Sequence, residues 1–229
     1  MNELIFFISI IINFTGLICM YKYFGKTGLF VWIAFATIAA NIEVIKCVDM
    51  FAMKLTLGNV LYGSVSLASD ILNENYGFKS AKDAVKIGFC TMLIFTVAAQ
   101  FTLAYIPNQI DFASSSLQTI FALSPRIFLG SIIAYFVSST VNVNAFNYIR
   151  KKLPQDKYFY IRNNASTMLA QIIDTAIFTA VAFIGVFPLK DCIILVATTY
   201  AVKVCIALLD TPFLYIAKEM KRKNKVKEI

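Results

Sequence analysis

Apolar residues run along this chain in blocks of about 20 separated by short polar connections, with little of the strict alternation that marks a half-buried strand. At 1.5 Å rise per residue, a block of about 20 residues spans the hydrocarbon core of a bilayer. Seven such blocks predict seven helices. Helix 1 is expected over Glu3–Tyr21, helix 2 over Leu29–Met50, helix 3 over Thr56–Asn75 and helix 4 over Ala84–Tyr105. Helix 5 is expected from Ser124 to Tyr148, helix 6 over Ile161–Phe187 and helix 7 over Cys192–Ala217. Ser124-Pro125-Arg126 reads as a cap followed by proline in the first turn, and Gly77 as a stop after helix 3. Pro107–Thr119 is polar but holds no Lys or Arg, and reads as an exposed loop turned back at the membrane surface.

Composition agrees with lipid as the solvent: 59% of residues are hydrophobic, 15% are charged, and mean hydropathy is +0.72. The fold class expected is therefore all-α, a polytopic membrane bundle over 1–217 followed by a basic tail over 218–229. Helix 1 has no basic segment ahead of it and no small-residue cleavage site behind it, so it reads as a retained span. The net charge of +8 is explained by position. Sixteen of the 21 Lys and Arg fall in the first, third and fifth connections and the tail, which lie on one side if seven helices alternate. The positive-inside rule then puts the N-terminus outside and the tail in the cytoplasm, at the cytoplasmic membrane. The tail reads as a lipid-side anchor, and no nucleic-acid partner is expected.

The five Cys are scattered through apolar stretches without CxxC spacing, and the chain has no His. Neither a disulfide framework nor a metal site nor a His-based nucleophile is expected, and no cofactor. Gly25-Lys26-Thr27 lacks the upstream glycine of a phosphate-binding loop, since Met20 stands there.

What remains is a set of polar groups inside apolar spans. Asp70 and Glu74, four apart, share one helix face. An acid in such a span costs about 2.5–3.5 kcal/mol on insertion scales, so it is expected to face a partner or a polar cavity. Asn41, Glu43, Lys46 and Asp49 lie in helix 2, Arg126 at the start of helix 5, Gln171 and Asp174 in helix 6, and Lys203 and Asp210 in helix 7. Glu43 and Lys46 have the spacing to pair along helix 2, and Asp174 and Lys203 sit at similar depth on consecutive helices. Aromatic residues flank these positions, among them Tyr76, Tyr135, Phe178, Phe183 and Tyr200. Carboxylates, amides and rings lining one pocket would suit a flat heterocycle, with acids accepting its N–H groups.

Several stretches in order resemble the queuosine precursor transporter family of bacterial and archaeal membrane proteins. They are Ala40-Asn41-Ile-Glu-Val-Ile-Lys46; Ser69-Asp70-Ile-Leu-Asn-Glu74-Asn-Tyr76-Gly77 with Ala81-Lys82; Pro125-Arg126-Ile with Gly130-Ser131 and Ala134-Tyr135; and Arg162-Asn163 with Gln171-Ile-Ile-Asp174-Thr175-Ala-Ile-Phe178. Tyr200, Lys203, Thr211-Pro212 and Tyr215 complete the set. The resemblance implies import of a 7-deazaguanine, queuine or its cyano- or aminomethyl-bearing precursors, for the tRNA base queuosine. The substrate site is expected among Asn41, Glu43, Lys46, Asp70, Glu74, Arg126, Gln171, Asp174 and Lys203, with Asp70, Glu74 and Asp174 taking the N–H edge, Asn41 and Gln171 completing its hydrogen bonds, and Lys46, Arg126 and Lys203 balancing the acids. Partners would be the deazapurine and the bilayer, with a coupling ion, a homo-oligomer and an energising partner left open. Asn142 departs from the Asp common in the family, and Ser138-Ser139 from the usual Ser-Gln. The rival readings are a substrate-capture subunit served by a separate ATPase, as in energy-coupling-factor vitamin importers, and, more remotely, an intramembrane aspartyl enzyme. The chain carries no Gly-x-Gly-Asp motif for the latter, and the expectation is that it is not an enzyme.

Overall fold

The computed structural model describes residues 1–153, 155 and 159–227, with side chains left out at a few positions between 139 and 164. Its elements are α1 (Asn2–Glu43), β1 (Cys47–Met50), β2 (Met53–Thr56), α2 (Asn59–Tyr76), α3 (Phe78–Ala104), α4 (Ser114–Phe121), α5 (Ser124–Lys152), α6 (Phe159–Phe183) and α7 (Leu189–Arg222). The chain divides into two compact units, Met1–Ser124 with Ala201–Ile229, and Pro125–Tyr200. Five of its helical stretches are long and apolar enough to cross a membrane.

In the first unit, α1 is two arms joined at Gly25, whose φ of 54° and ψ of −135° no helix tolerates. A Cβ on Gly16 would lie 3.0 Å from the Trp32 ring, and one on Gly28 only 2.3 Å from the Met20 carbonyl oxygen. Contacts between residues 16 and 32 and between 20 and 28 require arms that run antiparallel about position 24. The sequence expectation of two helices with a turn over Lys22–Thr27 therefore matches the backbone. Each arm buries a stripe at 4-3-4 spacing, Ile10, Phe14, Leu17 and Tyr21 on one, and Leu29, Ile33, Ala36 and Ala40 on the other. The first stripe, with Leu29 and Ile33 of the second, packs with Leu67, Ala68, Ile71 and Leu72 of α2, while Ala36 and Ala40 pack with Leu61.

The second arm stops at Glu43, seven residues short of the expected end of helix 2. Residues 47–56 form instead an antiparallel hairpin that places Asp49 opposite Lys54. Phe51 and Ala52 turn it with φ of 54° and 56°. This is the geometry that ordinarily selects Asn-Gly, and neither residue signals it. The hairpin is tied to the start of α1: Asn2 Nδ2 donates to the Asp49 carbonyl (2.8 Å), the Phe51 N–H donates to Glu3 Oε1 (3.1 Å), and the Phe51 ring meets Phe6 and Phe7 edge-on. Because Ala52 carries a Cβ in left-handed backbone, Ala52→Gly is expected to stabilise the hairpin by up to ~1 kcal/mol. Slower amide exchange at Met50 and Met53 would register it; unchanged or faster exchange would contradict it.

Gly58 (φ 90°) opens α2 under the Ala40 carbonyl, and Gly77 (φ 84°) ends it as expected. Helix α3 follows at once from Phe78 rather than from Ala84. The expected 107–119 loop contains the short helix α4, capped by Asp111, which accepts from the N–H groups of Ala113 and Ser114 (both 2.8 Å) and so holds its carboxyl below the usual range. In the second unit, Arg126 meets Val181, Gly130 meets Phe178 and Ser138 meets Asp174, so α5 and α6 are antiparallel. Helix α7 begins at Leu189 and runs through Pro212 to Arg222, beyond its expected end at Ala217.

Candidate functional site

The site is built on α2 and the C-terminal part of α7. Gly63 leaves room for Ile206 of α7, whose Cγ2 would stand 2.3 Å from a Cβ at that position. About three turns further on, Glu74 Oε1 pairs with Lys218 Nζ at 2.6 Å, and Asn75 Nδ2 lies 3.5 Å from the Ala217 carbonyl. Matching 63 with 206, 74 with 218 and 75 with 217 makes the two helices parallel at a nearly constant offset. Asp70 then falls beside the stretch around Phe213, with Asp210 one turn before it. The hydrophobic residues next to Asp70, Ile71 and Leu72, are fully buried. Asp70 itself is open, and Asp210 is half-buried. Asp70 and Asp210 thus lie on neighbouring turns of two parallel helices.

The other polar groups of this unit line up along α2 instead of gathering at one point. At its start the Gly58 N–H is hydrogen-bonded to the Glu43 carboxylate, and the Tyr62 hydroxyl donates to Asn41 Oδ1 (3.3 Å). Asn41 Nδ2 is spent on the Thr37 carbonyl at 2.6 Å. Next, Trp32 Nε1 donates to Ser64 Oγ (2.9 Å). Asp70 follows, and Glu74 closes the line at its Lys218 pair. From Tyr62 to Glu74 is about 18 Å of helix, too long for one planar base to span. Lys46 stands exposed in the turn between α1 and β1, so the expected helical spacing of Glu43 and Lys46 does not exist: α1 ends at Glu43.

In the second unit, Ser138 Oγ donates to Asp174 Oδ1 (3.3 Å), joining α5 to α6. Gln171 is half-buried one turn before it, and its carbonyl accepts from Thr175 Oγ1 (2.8 Å). Arg126 is committed to backbone. Its Nη2 donates to the carbonyls of Val181 (2.9 Å) and Ile184 (2.8 Å), and its Nε to Val181 as well (3.2 Å). Those carbonyls are the unpaired acceptors of the α6 C-terminus, and a cation there also suits the helix dipole. Arg126→Lys, which cannot fork, should cost about 1–2 kcal/mol and lower the melting temperature without changing the substrate concentration at half-maximal uptake. A changed half-saturation with unaltered melting would reverse that assignment.

Asp174 and Lys203 belong to different units, and each has a further interaction. Ser139, Asn142, Arg150, Lys157, Arg162 and Asn163 fall outside the described residues, Lys157 entirely and the others in their side chains. Asp210 is the residue that reading the sequence passed over as a site residue. Its signal was an acid in the apolar run Ala207-Leu-Leu-Asp210, two residues before a helix-interrupting proline.

Long apolar helices, internal acids and a strongly basic set of connections define a multi-pass α-helical membrane protein. The family model described as "Putative vitamin uptake transporter" matches residues 56–217. A protein of Bacillus subtilis (strain 168) described as "Probable queuosine precursor transporter" is 44% identical over 210 residues, covering 92% of each chain. The chain belongs to this transporter family. No solved structure matches it.

Proposed function

We propose that this protein imports queuosine precursors, 7-deazaguanine bases, across the cytoplasmic membrane. The observation that carries the reading is the parallel register of α2 and α7, which puts Asp70 and Asp210 on neighbouring turns, in a chain 44% identical to a probable queuosine precursor transporter. A guanine-like edge offers ring and exocyclic N–H donors, and carboxylates are the acceptors that form the strongest hydrogen bonds to them. Asp70 and Asp210 take the N–H edge. Asn41 and Glu43 hold the start of α2, and Glu74 and Arg126 act through the helix ends they tie.

Counting the arms of α1 separately, seven spans cross the membrane, with the N-terminus outside and the tail inside. The parallel course of α2 and α7 supports this, because the third and seventh of seven alternating spans run the same way. So does the meeting of the first connection with the tail, where the Lys227 N–H donates to the Lys22 carbonyl (2.9 Å).

The test is uptake of radiolabelled queuine and 7-cyano-7-deazaguanine into liposomes holding only the purified chain, with guanine as competitor. Accumulation of either deazapurine above protein-free liposomes supports the reading and dispenses with a separate ATPase. Absence of both uptake and binding refutes it.

A further inference from the structure

We propose that the connection between α3 and α4, residues 105–113, is a lipid-binding surface whose apolar side chains enter the boundary between hydrocarbon and headgroups. The proposal rests on the chain spanning a membrane, and is independent of what it transports.

A loop that runs through water shows its polar side chains to solvent. This one does the reverse. Ile106, Ile110 and Phe112 are 93%, 85% and 94% exposed, and Tyr105, where α3 ends, is 80% exposed. The polar side chains are spent on the loop's own backbone instead. Asn108 Oδ1 accepts from the Ile110 N–H (3.1 Å), and the Asp111 N–H donates to the Asn108 carbonyl (3.2 Å). Asp111 Oδ1 accepts from the N–H groups of Ala113 and Ser114 (both 2.8 Å), and its Oδ2 from the Ser114 hydroxyl (2.9 Å). Backbone donors that water would otherwise satisfy are thus paired inside the segment, as backbone beside lipid requires.

The depth of the loop follows from its two neighbours. Ile87–Ala104 of α3 lies beyond Lys79, Lys82 and Lys86 and climbs about 26 Å, close to the thickness of bilayer hydrocarbon. Helix α4 comes back along it: Gln100 Nε2 donates to the Phe121 carbonyl (3.0 Å), and the Phe121 ring meets Phe95 edge-on at 5.8 Å. From Phe121 back to Ser114 is about 10 Å of helix, which sets Ser114 level with the last turn of α3. Residues 105–113 therefore run along the membrane boundary and do not project above it.

Continuity and charge identify lipid as what covers this face. Ile94, Val97, Phe101 and Tyr105 are exposed at 3-4-4 spacing on one side of α3, the side an apolar spanning helix turns to lipid. Ile106, Ile110 and Phe112 extend that surface past the helix end without a break. Between Lys86 and Arg126 the sequence carries a single charged residue, Asp111, and its carboxylate is turned to backbone. The loop thus offers no cation or free acid to hold it in water or to meet a charged partner. A tyrosine where the helix leaves the hydrocarbon suits the interfacial depth.

The full-length protein carrying Phe112→Trp in a Trp32→Phe background, reconstituted in phosphatidylcholine vesicles, would be probed by tryptophan fluorescence. Lipid brominated high on its acyl chains should quench about twofold more than lipid brominated near the chain ends. Iodide on both sides of the membrane should quench about threefold less than it quenches free tryptophanamide. Should Trp32→Phe fail to fold, the difference between Phe112→Trp and the parent gives the same comparison. Ile110→Trp should show the same order and replaces Phe112→Trp if that variant does not fold. Adding Ile106→Asn/Ile110→Asn to Phe112→Trp removes two of the three apolar side chains and should raise iodide quenching about twofold. Unchanged quenching there would mean that the indole alone drew the loop to lipid, and would overturn the proposal. Iodide quenching equal to that of tryptophanamide, with none from either brominated lipid, would put the loop in water. Quenching by brominated lipid that falls as protein is concentrated in the membrane would make a second copy of the chain the occupant, and overturn the lipid assignment.

Discussion

Gly28→Ala should unfold the first helical hairpin, whereas Gly88→Ala should be neutral or mildly stabilising, although each adds one methyl group. At Gly28 the new Cβ would stand 2.3 Å from the Met20 carbonyl oxygen, 2.8 Å from its carbon and 3.0 Å from Phe24 Cβ. Two of those atoms are backbone in the opposite arm, so no rotamer change relieves the clash. The arms must separate, and the stripe from Ile10 to Tyr21 then loses its fit against Leu29 and Ile33. Overpacking costs about 1–3 kcal/mol where side chains can yield, and the upper end or more is expected where backbone must move. At Gly88 the nearest atoms are Thr37 Oγ1 at 3.6 Å and Ile33 Cγ2 at 3.7 Å, which is ordinary contact. There alanine contributes only its better helix propensity, about 0.5–1 kcal/mol. Thermal unfolding of both variants in detergent, followed by size exclusion, separates the cases. Equal melting temperatures would mean that the arms are not packed as described.

The helices were largely legible in the sequence because each boundary that was read correctly has a local chemical cause. Gly77 ends α2 because its φ of 84° suits glycine, and Gly25 separates the arms of α1 for a related reason. The hairpin over 47–56 was hidden, since its turn is Phe51-Ala52 and its strands continue the apolar run of the preceding helix. Short apolar runs do not distinguish strand from helix by periodicity. Helix α7 outran its expected end because Lys218, Lys221 and Arg222 close the apolar pattern without breaking the backbone, and cations suit a helix C-terminus.

The polar site was half legible. The presence of an acid in an apolar helix announces that Asp70 faces something, but the pattern on α2 says nothing about which residue of another helix stands opposite. That is decided by the register between α2 and α7, fixed by Gly63 against Ile206 and by Glu74 with Lys218, contacts more than 140 residues apart in the chain. Glu74 shows the reverse error. Its spacing from Asp70 promised a shared ligand, yet one helical turn takes it to the end of the unit, where a lysine meets it.

Neutralising Asp70 and Asp210 should therefore damage transport far more than neutralising Glu74. Asp70→Asn and Asp210→Asn keep side-chain size but replace an oxygen that accepts hydrogen bonds with an amide that donates them. A hydrogen bond to a charged group is worth about 1.5–3 kcal/mol, or roughly a 10–100-fold loss of uptake efficiency for each substitution. Because the register of α2 and α7 puts the two carboxyls on neighbouring turns, the double variant should lose less than the product of the single losses. Glu74→Gln removes one partner of an exposed ion pair, which water screens, and should lower uptake by only a few-fold at most. Initial rates of deazapurine uptake into liposomes, normalised to folded protein, measure all four. If Glu74→Gln proved as severe as Asp70→Asn, the substrate would be held at the end of α2 and not at the acid pair. Should both aspartate variants transport like the parent, the two carboxylates would serve only to set the spacing of α2 and α7.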